Sequence, residues 1–346
     1  MRTVRWGFLA TGKVARTVAA DLALVPGSEL VAVGARRLES ARAFVDAHAP
    51  SARAHASYAA LVADPEVDVV YIASPHALHL EHARMAFEAG KHVLCEKPVT
   101  LDLADAQEMV RLAGRHDRFL MEAMWTACHP VVVELADRVR SGELGTPRTL
   151  RAELGFRVDA APDDRLLDPA LGASALLDMG IYPLTFAHLL LGAPDRLSAE
   201  AVLSERGTDL DVTVLGRYPG GVLATLSASM TSWSDRSAAL ATDLGHVHLE
   251  GDFHHPEAAV FVPHGPSGPG EPVRITGREP VLGAGYGNEV AEVARCVREG
   301  LRESPMVPHA RTLAVLAQLD DVRRLIGVTF PARPPTPGPL LPGDPR

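Results

Sequence analysis

The chain has 346 residues, 47% apolar and 22% charged, which excludes disorder and collagen-like repeats for the chain as a whole. At roughly 100–200 residues per domain the length argues for two domains. A formal net charge of −9 opposes broad attraction to nucleic acid or anionic lipid, so the expected partners are small molecules and further copies of the chain.

Three well-separated cysteines, Cys95, Cys128 and Cys296, suggest neither a disulfide framework nor a Cys-rich zinc site. No window reaches 18 uninterrupted apolar residues, and the N-terminus leads straight into a strand pattern. A cytoplasmic protein is the expectation.

Residues 1–122 alternate β-branched runs with helical periodicity, the pattern of βαβ units and a doubly wound parallel sheet. Strands are expected over 3–9, 29–35, 67–74, 91–95 and 118–122, and 68–73 is apolar enough to be covered on both faces. Val14, Val18 and Leu22 recur at helical spacing, and 80–89 and 103–113 carry the same period. From residue 123 the pattern changes. A helix near 130–141 opens at His129-Pro130, a strand over 146–157 follows, and a long helix over 174–191 runs between Gly172 and Gly192. Alternating segments over 197–205, 209–218, 222–230, 236–243, 246–251 and 258–262 predict a mainly antiparallel sheet. Helices near 286–300 and 309–326 close this second, α+β domain over 123–330. Seven prolines within 331–346 mark an extended tail.

The turn after the first strand reads Ala10-Thr11-Gly12-Lys13-Val14-Ala15, which fits the dinucleotide fingerprint G-x-G-x-x-G/A with Ala10 in the first glycine's place. Gly12 lets the backbone approach a pyrophosphate, and the helix N-terminus offers free N–H groups to an anion. Ala10, Thr11, Gly12, Lys13 and Val14 are therefore cofactor-binding candidates. The second strand ends Gly34-Ala35-Arg36-Arg37, with two guanidiniums where an NAD site carries a carboxylate. Arg36 and Arg37 suit a ribose 2′-phosphate and favour NADP(H), although Arg36 stacked on adenine would also serve NAD(H).

The strand at 91–95 runs into Glu96-Lys97-Pro98. With the opening Trp6 to Gly12, the run Val69 to His76 followed by His79 and His82, Met121 to Trp125 and Leu177 to Pro183, the chain resembles the glucose–fructose oxidoreductase/inositol dehydrogenase (Gfo/Idh/MocA) family over nearly its whole length. The Met-Glu-Ala-Met-Trp and Asp-Met-Gly-Ile-Tyr-Pro strings are most similar to its dihydrodiol dehydrogenase/xylose dehydrogenase branch. The resemblance implies a Rossmann domain followed by an open sheet whose face often mediates oligomerisation, hence a homodimer or homotetramer. It also implies that Pro75 and His76 lie beside the nicotinamide ribose, that Trp125 walls the nicotinamide pocket, and that Ser74, His79, Glu96 and Glu122 join the cofactor site.

Lys97, held by Pro98 at the carboxyl end of a parallel strand, stands where open α/β sheets place their ligands. Asp178 and Tyr182 are four residues apart on the predicted helix and can face the same side. A free Tyr titrates near pH 10, so a site that uses it as a base at neutral pH must supply about 4 kcal/mol, and a nearby Lys97 ammonium is expected to supply much of this. The roles that follow are Tyr182 as acid/base, Lys97 as its electrostatic partner and Asp178 as a substrate-orienting or supporting carboxylate, while the resemblance leaves either Lys97 or Tyr182 as the immediate proton donor. His76, His79 and His82 lack a neighbouring carboxylate or Cys in a ligand pattern, and no metal is expected. The histidines at 246, 248, 254 and 255 receive no role.

The expected activity is an NADP(H)-dependent oxidoreductase acting on a secondary alcohol or ketone of a sugar, polyol or cyclic diol. A reductase of nucleotide-linked keto-deoxysugars would need cations for the diphosphate, with Arg151, Arg157 and Arg165 as the candidates. A catalytically silent cofactor-sensing regulator would have no use for the Lys97 and Tyr182 pair.

Overall fold

The computed structural model describes residues 2–160 and 166–330. Strands that bury both faces need helices on both sides, and the first third of the chain supplies them in alternation. The order is β1 (Val4–Leu9), α1 (Lys13–Leu22), β2 (Ser28–Gly34), α2 (Leu38–His48), β3 (Arg53–His55), α3 (Tyr58–Val62), β4 (Val69–Ile72), α4 (His79–Glu88), β5 (His92–Glu96), α5 (Leu103–Arg115) and β6 (Leu120–Ala123). The strands pair in parallel in the order β3-β2-β1-β4-β5-β6. Trp6, Phe8 and Tyr71 are fully buried between sheet and helices. The Phe8 and Tyr71 rings tilt together at 4.8 Å, a pairing worth about 0.5–1.5 kcal/mol beyond its burial. Where five strands were expected there are six, because β3 is three residues long and too short for periodicity to register. Strand order reverses between β1 and β4. The carboxyl ends of β1, β4 and β5 therefore border one crevice, the usual ligand position of such sheets.

The chain continues through α6 (Trp125–Cys128), α7 (Pro130–Ser141), β7 (Pro147–Gly155) and α8 (Ile181–Leu191), then β8 (Arg196–Leu203), β9 (Asp209–Tyr218), β10 (Val222–Ser229), β11 (Ala238–Thr242), β12 (Gly245–Glu250), β13 (Ala258–Gly265), β14 (Gly268–Pro269) and β15 (Val273–Ile275). Two helices, α9 (Tyr286–Glu299) and α10 (His309–Leu325), complete the order. The second sheet runs β14-β13-β12-β11-β7-β10-β9-β8, with β15 beside β13. Its pairings are antiparallel except that of β7 with β10. Helix α8 covers one face against β7 and β10. Leu150, Ala152 and Leu154 of β7 are buried there, and the alternation of a strand turns Thr149 and Arg151 outward. The span Pro169–Leu191 is long and apolar enough to cross a bilayer, yet 78% of its most apolar window is buried inside the protein, as a core helix is.

Within the helix predicted over 174–191, Leu176–Gly180 winds with π-helical register and continues directly into α8, which shifts the rotation of Asp178 relative to Tyr182. Helices from the second segment also reach the first: α9 packs on α1, β1 and β2, and α10 packs on α5 as well as β8. Asp21 on α1 makes the first of these joints. Its carboxylate accepts the N–H groups of Ala284 at 2.9 Å, Tyr286 at 3.0 Å and Gly287 at 3.2 Å, which caps the positive end of α9. Gly283 has a φ of +64°, and a Cβ there would lie 2.0 Å from Asp21 Oδ1, so only glycine allows this approach. The predicted tail over 331–346 lies outside the described residues.

Candidate active site

The crevice begins at the turn after β1. Ala10 has a φ of +89°, which explains why a glycine suits this place in the fingerprint. Its N–H bonds the Gly34 carbonyl at 3.0 Å. Gly12 is the N-cap of α1 without any side-chain cap, and nothing lies within 4 Å of the point where its Cβ would be. Gly12 and Lys13 are exposed, with Thr11 and Val14 half-buried beside them. An open, uncapped helix N-terminus of this kind fits a dinucleotide pyrophosphate. Arg36 and Arg37 are exposed just beyond β2.

The loops after β4 and β5 are tied together by buried polar groups. Ser74 Oγ lies 2.8 Å from His82 Nδ1, and burial pushes that imidazole down to about 4. His79 is fully buried, with Nε2 at 2.8 Å from the Ser74 carbonyl and Nδ1 at 3.0 Å from the Pro98 carbonyl. His79, expected at the cofactor site, bridges the two loops as an internal strut. Glu122 is placed in a similar way. Buried at the end of β6, it accepts the Val99 N–H and the Thr312 hydroxyl, both at 3.0 Å, and its side chain supports the Lys97 loop from behind. Burial pushes its carboxyl up to about 7 against the pull of those bonds. Glu96 accepts the Tyr71 hydroxyl at 2.5 Å and the Lys97 N–H at 3.2 Å. Pro75 is half-buried, and His76 points Nε2 to within 3.7 Å of Asp178 Oδ1.

Lys97, Tyr182 and Asp178 do come together, in an arrangement that helical spacing alone does not predict. The Lys97 ammonium donates to the backbone carbonyl of Asp178 at 2.8 Å and lies over the Tyr182 ring, 4.8 Å from its centroid. The Trp125 indole N–H donates to the Tyr182 oxygen at 3.0 Å. Burial holds the Tyr182 phenol well above the ordinary tyrosine value, and the bond from Trp125 works in the opposite direction. The phenol is thus held in its protonated form at neutral pH.

Residues unforeseen from the sequence complete the wall. Trp125 stacks on Tyr286 at 4.2 Å and on His255 at 5.1 Å, and the His254 ring lies 5.0 Å from that of Tyr182. These partners lie more than 70 residues from the helical residues they meet, Trp125 and Tyr182, and the only local signal was the His254-His255 doublet. Of the arginines considered for a diphosphate, Arg151 faces away from α8, Arg157 is exposed and Arg165 lies outside the described residues.

Residues 4–124 match an oxidoreductase family with an NAD-binding Rossmann fold, and residues 132–248 match the Gfo/Idh/MocA C-terminal domain. The chain belongs to the Gfo/Idh/MocA oxidoreductase family. Trp125 stands at the seam between the two matched regions. Curated relatives include the trans-1,2-dihydrobenzene-1,2-diol dehydrogenases of Sus scrofa, 36% identical over 337 residues, and of Homo sapiens, 36% identical over 332. In both cases 95% of this chain and 98% of the relative are covered. Among solved structures, a 3-ketoreductase from Actinomadura kijaniata in complex with NADP and TDP-benzene is 25% identical with a TM-score of 0.81, covering 94% of this chain and 98% of its own. The aldose-aldose oxidoreductase from Caulobacter crescentus, at 22% identity and a TM-score of 0.82, covers 94% of this chain and 97% of its own and shares the fold. As a Gfo/Idh/MocA enzyme, the chain is an oxidoreductase with a nicotinamide dinucleotide cofactor, for which the open α1 N-terminus is the fitting cradle.

Proposed function

We propose that the chain interconverts a secondary alcohol and the corresponding ketone on a sugar, polyol or cyclic diol, with NADP(H) as cofactor. The observation that carries this reading is the convergence of the Lys97 ammonium and the Tyr182 phenol beside the carboxyl end of β5, a cation and a proton donor aimed at one region.

When bound, the dinucleotide supplies or accepts the hydride at the substrate carbon. The protein's part is the proton and the charge. In the reductive direction the Tyr182 hydroxyl gives its proton to the carbonyl oxygen, and the Trp125 N–H, already on the phenolic oxygen, stabilises the phenolate left behind. Lys97 orients the substrate oxygen and offsets the negative charge that develops there, held by the Asp178 carbonyl. The Asp178 carboxylate, beside His76, orients a neighbouring substrate hydroxyl.

Arg36 and Arg37 support NADP(H), as does the NADP bound by the 25%-identical 3-ketoreductase. One charge-assisted contact to a 2′-phosphate contributes about 1.5–3 kcal/mol, or roughly ten- to more than a hundredfold in affinity. The test is absorbance at 340 nm with NADPH or NADH and a panel of keto-sugars, diketones and cyclic trans-diols. Turnover with NADPH in preference to NADH, and loss of that preference in Arg36→Asp, is the expected result; no turnover across the panel would remove the reading. Self-association is proposed through the outward face of the second sheet, where Leu215 and Leu223 are 56% and 58% exposed.

A further inference from the structure

Beside Trp125, the turn that follows β12 carries Asp252, His254 and His255. We propose that these three side chains bind one divalent first-row transition ion, with Zn2+ as the best fit, at the edge of the Tyr182 pocket. Each offers one ligand atom, and the three atoms lie within 4.8 Å of one another. His255 Nε2 and Asp252 Oδ2 are 3.4 Å apart, longer than a good N–H···O hydrogen bond. Yet two ligand atoms bonded at about 2.1 Å to a tetrahedral ion stand about 3.4 Å apart, so this edge already has the spacing that Zn2+ requires. Two imidazoles and a carboxylate are also a donor set for zinc, cobalt or nickel rather than for Ca2+ or Mg2+.

The groups around the three ligands hold them in place. Asp252 Oδ1 accepts from Arg236 Nε at 3.0 Å, which orients the carboxylate and leaves Oδ2 for the ion. The His255 ring is stacked on Trp125, and the His254 carbonyl is held by the Thr126 hydroxyl at 2.8 Å. His254 Nδ1 is buried and has no hydrogen-bond partner among the described residues, so a ring nitrogen of this imidazole is uncommitted. Side-chain exposures of 17% for Asp252 and 37% for His255 give the ion a way in.

Other histidine groups are less suited. His79 and His82 are spent on Ser74 and Pro98. His246 and His264 face each other across the exposed edge of β12 and β13, with ring nitrogens 3.2 Å apart, and form the competing cluster a test must control for. Binding at Asp252, His254 and His255 stands apart from the proposed reaction, since His255 can take the ion while its ring stays stacked on Trp125.

The experiment uses the untagged full-length chain, stripped with chelator and titrated with Co2+. One equivalent should produce the visible absorption of four- or five-coordinate cobalt, and one equivalent of Zn2+ should abolish it. His255→Ala and Asp252→Asn should each weaken binding at least tenfold, His255→Gln should do the same should the alanine variant fold poorly, and His264→Ala should bind as the parent does. Only the spectrum of hydrated Co2+, or binding that survives both His255 variants and disappears in His264→Ala, would overturn the proposal.

Discussion

The indole nitrogen of Trp125 donates to the phenolic oxygen of Tyr182 at 3.0 Å, while the indole ring itself is clasped between Tyr286 of α9 and His255 of the turn after β12. Three distant segments thereby set the direction of one O–H bond. With one lone pair engaged by the indole, the hydroxyl proton is free to point at a substrate oxygen. Trp125→Phe keeps the stacking and removes the donor. We expect kcat to fall about tenfold or more, the loss of one hydrogen bond to a developing charge, with KM for the cofactor little changed. The Trp125 bond favours the phenolate that forms as the proton leaves, so its loss should appear in kcat; an unchanged kcat would assign Trp125 to packing alone.

Lys97→Ala and Tyr182→Phe should each reduce turnover at least a hundredfold while leaving NADPH binding intact, as measured by cofactor fluorescence titration. The double variant should be little worse than the poorer single one, since the two act on the same oxygen. Turnover within a few-fold of the parent would remove that residue from the mechanism.

Asp21 accepts three N–H groups at the start of α9, a helix that carries Tyr286. Asp21→Ala removes the acceptor from three N–H groups, that of Gly287 buried and the other two part-buried, and should lower stability by at least about 2 kcal/mol, read from the urea midpoint. Gly283→Ala should be comparably damaging, because its Cβ would collide with Asp21 in a backbone conformation that disfavours a side chain. Intact stability in both variants would mean that α9 is held by other contacts.

Glu122, with its carboxyl pushed up to about 7 by burial, makes stability depend on pH. The unfolded chain has a glutamate near 4.3, so the folded state favours the protonated form. This contribution is fully present below about pH 4, declines as pH rises through the folded value, and amounts to about 3 kcal/mol. Glu122→Gln, neutral at every pH, should flatten the stability profile between about pH 4.5 and 7. An unchanged slope by chemical denaturation would show that Glu122 does not titrate there.

Light scattering should give at least twice the chain mass at micromolar concentration if the outward sheet face pairs two copies. Leu215→Lys with Leu223→Glu should return it to the monomer without loss of fold, and a monomeric parent would end the proposal.

The runs of β1, β4 and β5 could be read directly from the chain because a strand covered on both faces must be apolar along its length, and that requirement is written in consecutive residues. Lys97 and Tyr182 could be singled out because their motifs, Glu-Lys-Pro and Asp-Met-Gly-Ile-Tyr-Pro, are local strings. The three-residue β3 offered no period to read, and the π-turn over Leu176–Gly180 differs from a helix by hydrogen-bond register, which composition does not encode.

Local order in the sequence thus determined the element types, the crevice and the two residues assigned to the proton. The tertiary structure alone decided that His79 and Glu122 serve as struts, that Lys97 bonds a carbonyl, and that Trp125, Tyr286, His254 and His255 share a wall with Tyr182. Those facts depend on contacts between residues 19 to 190 positions apart, and the burial that sets their protonation exists only once the sheets and helices have closed around them.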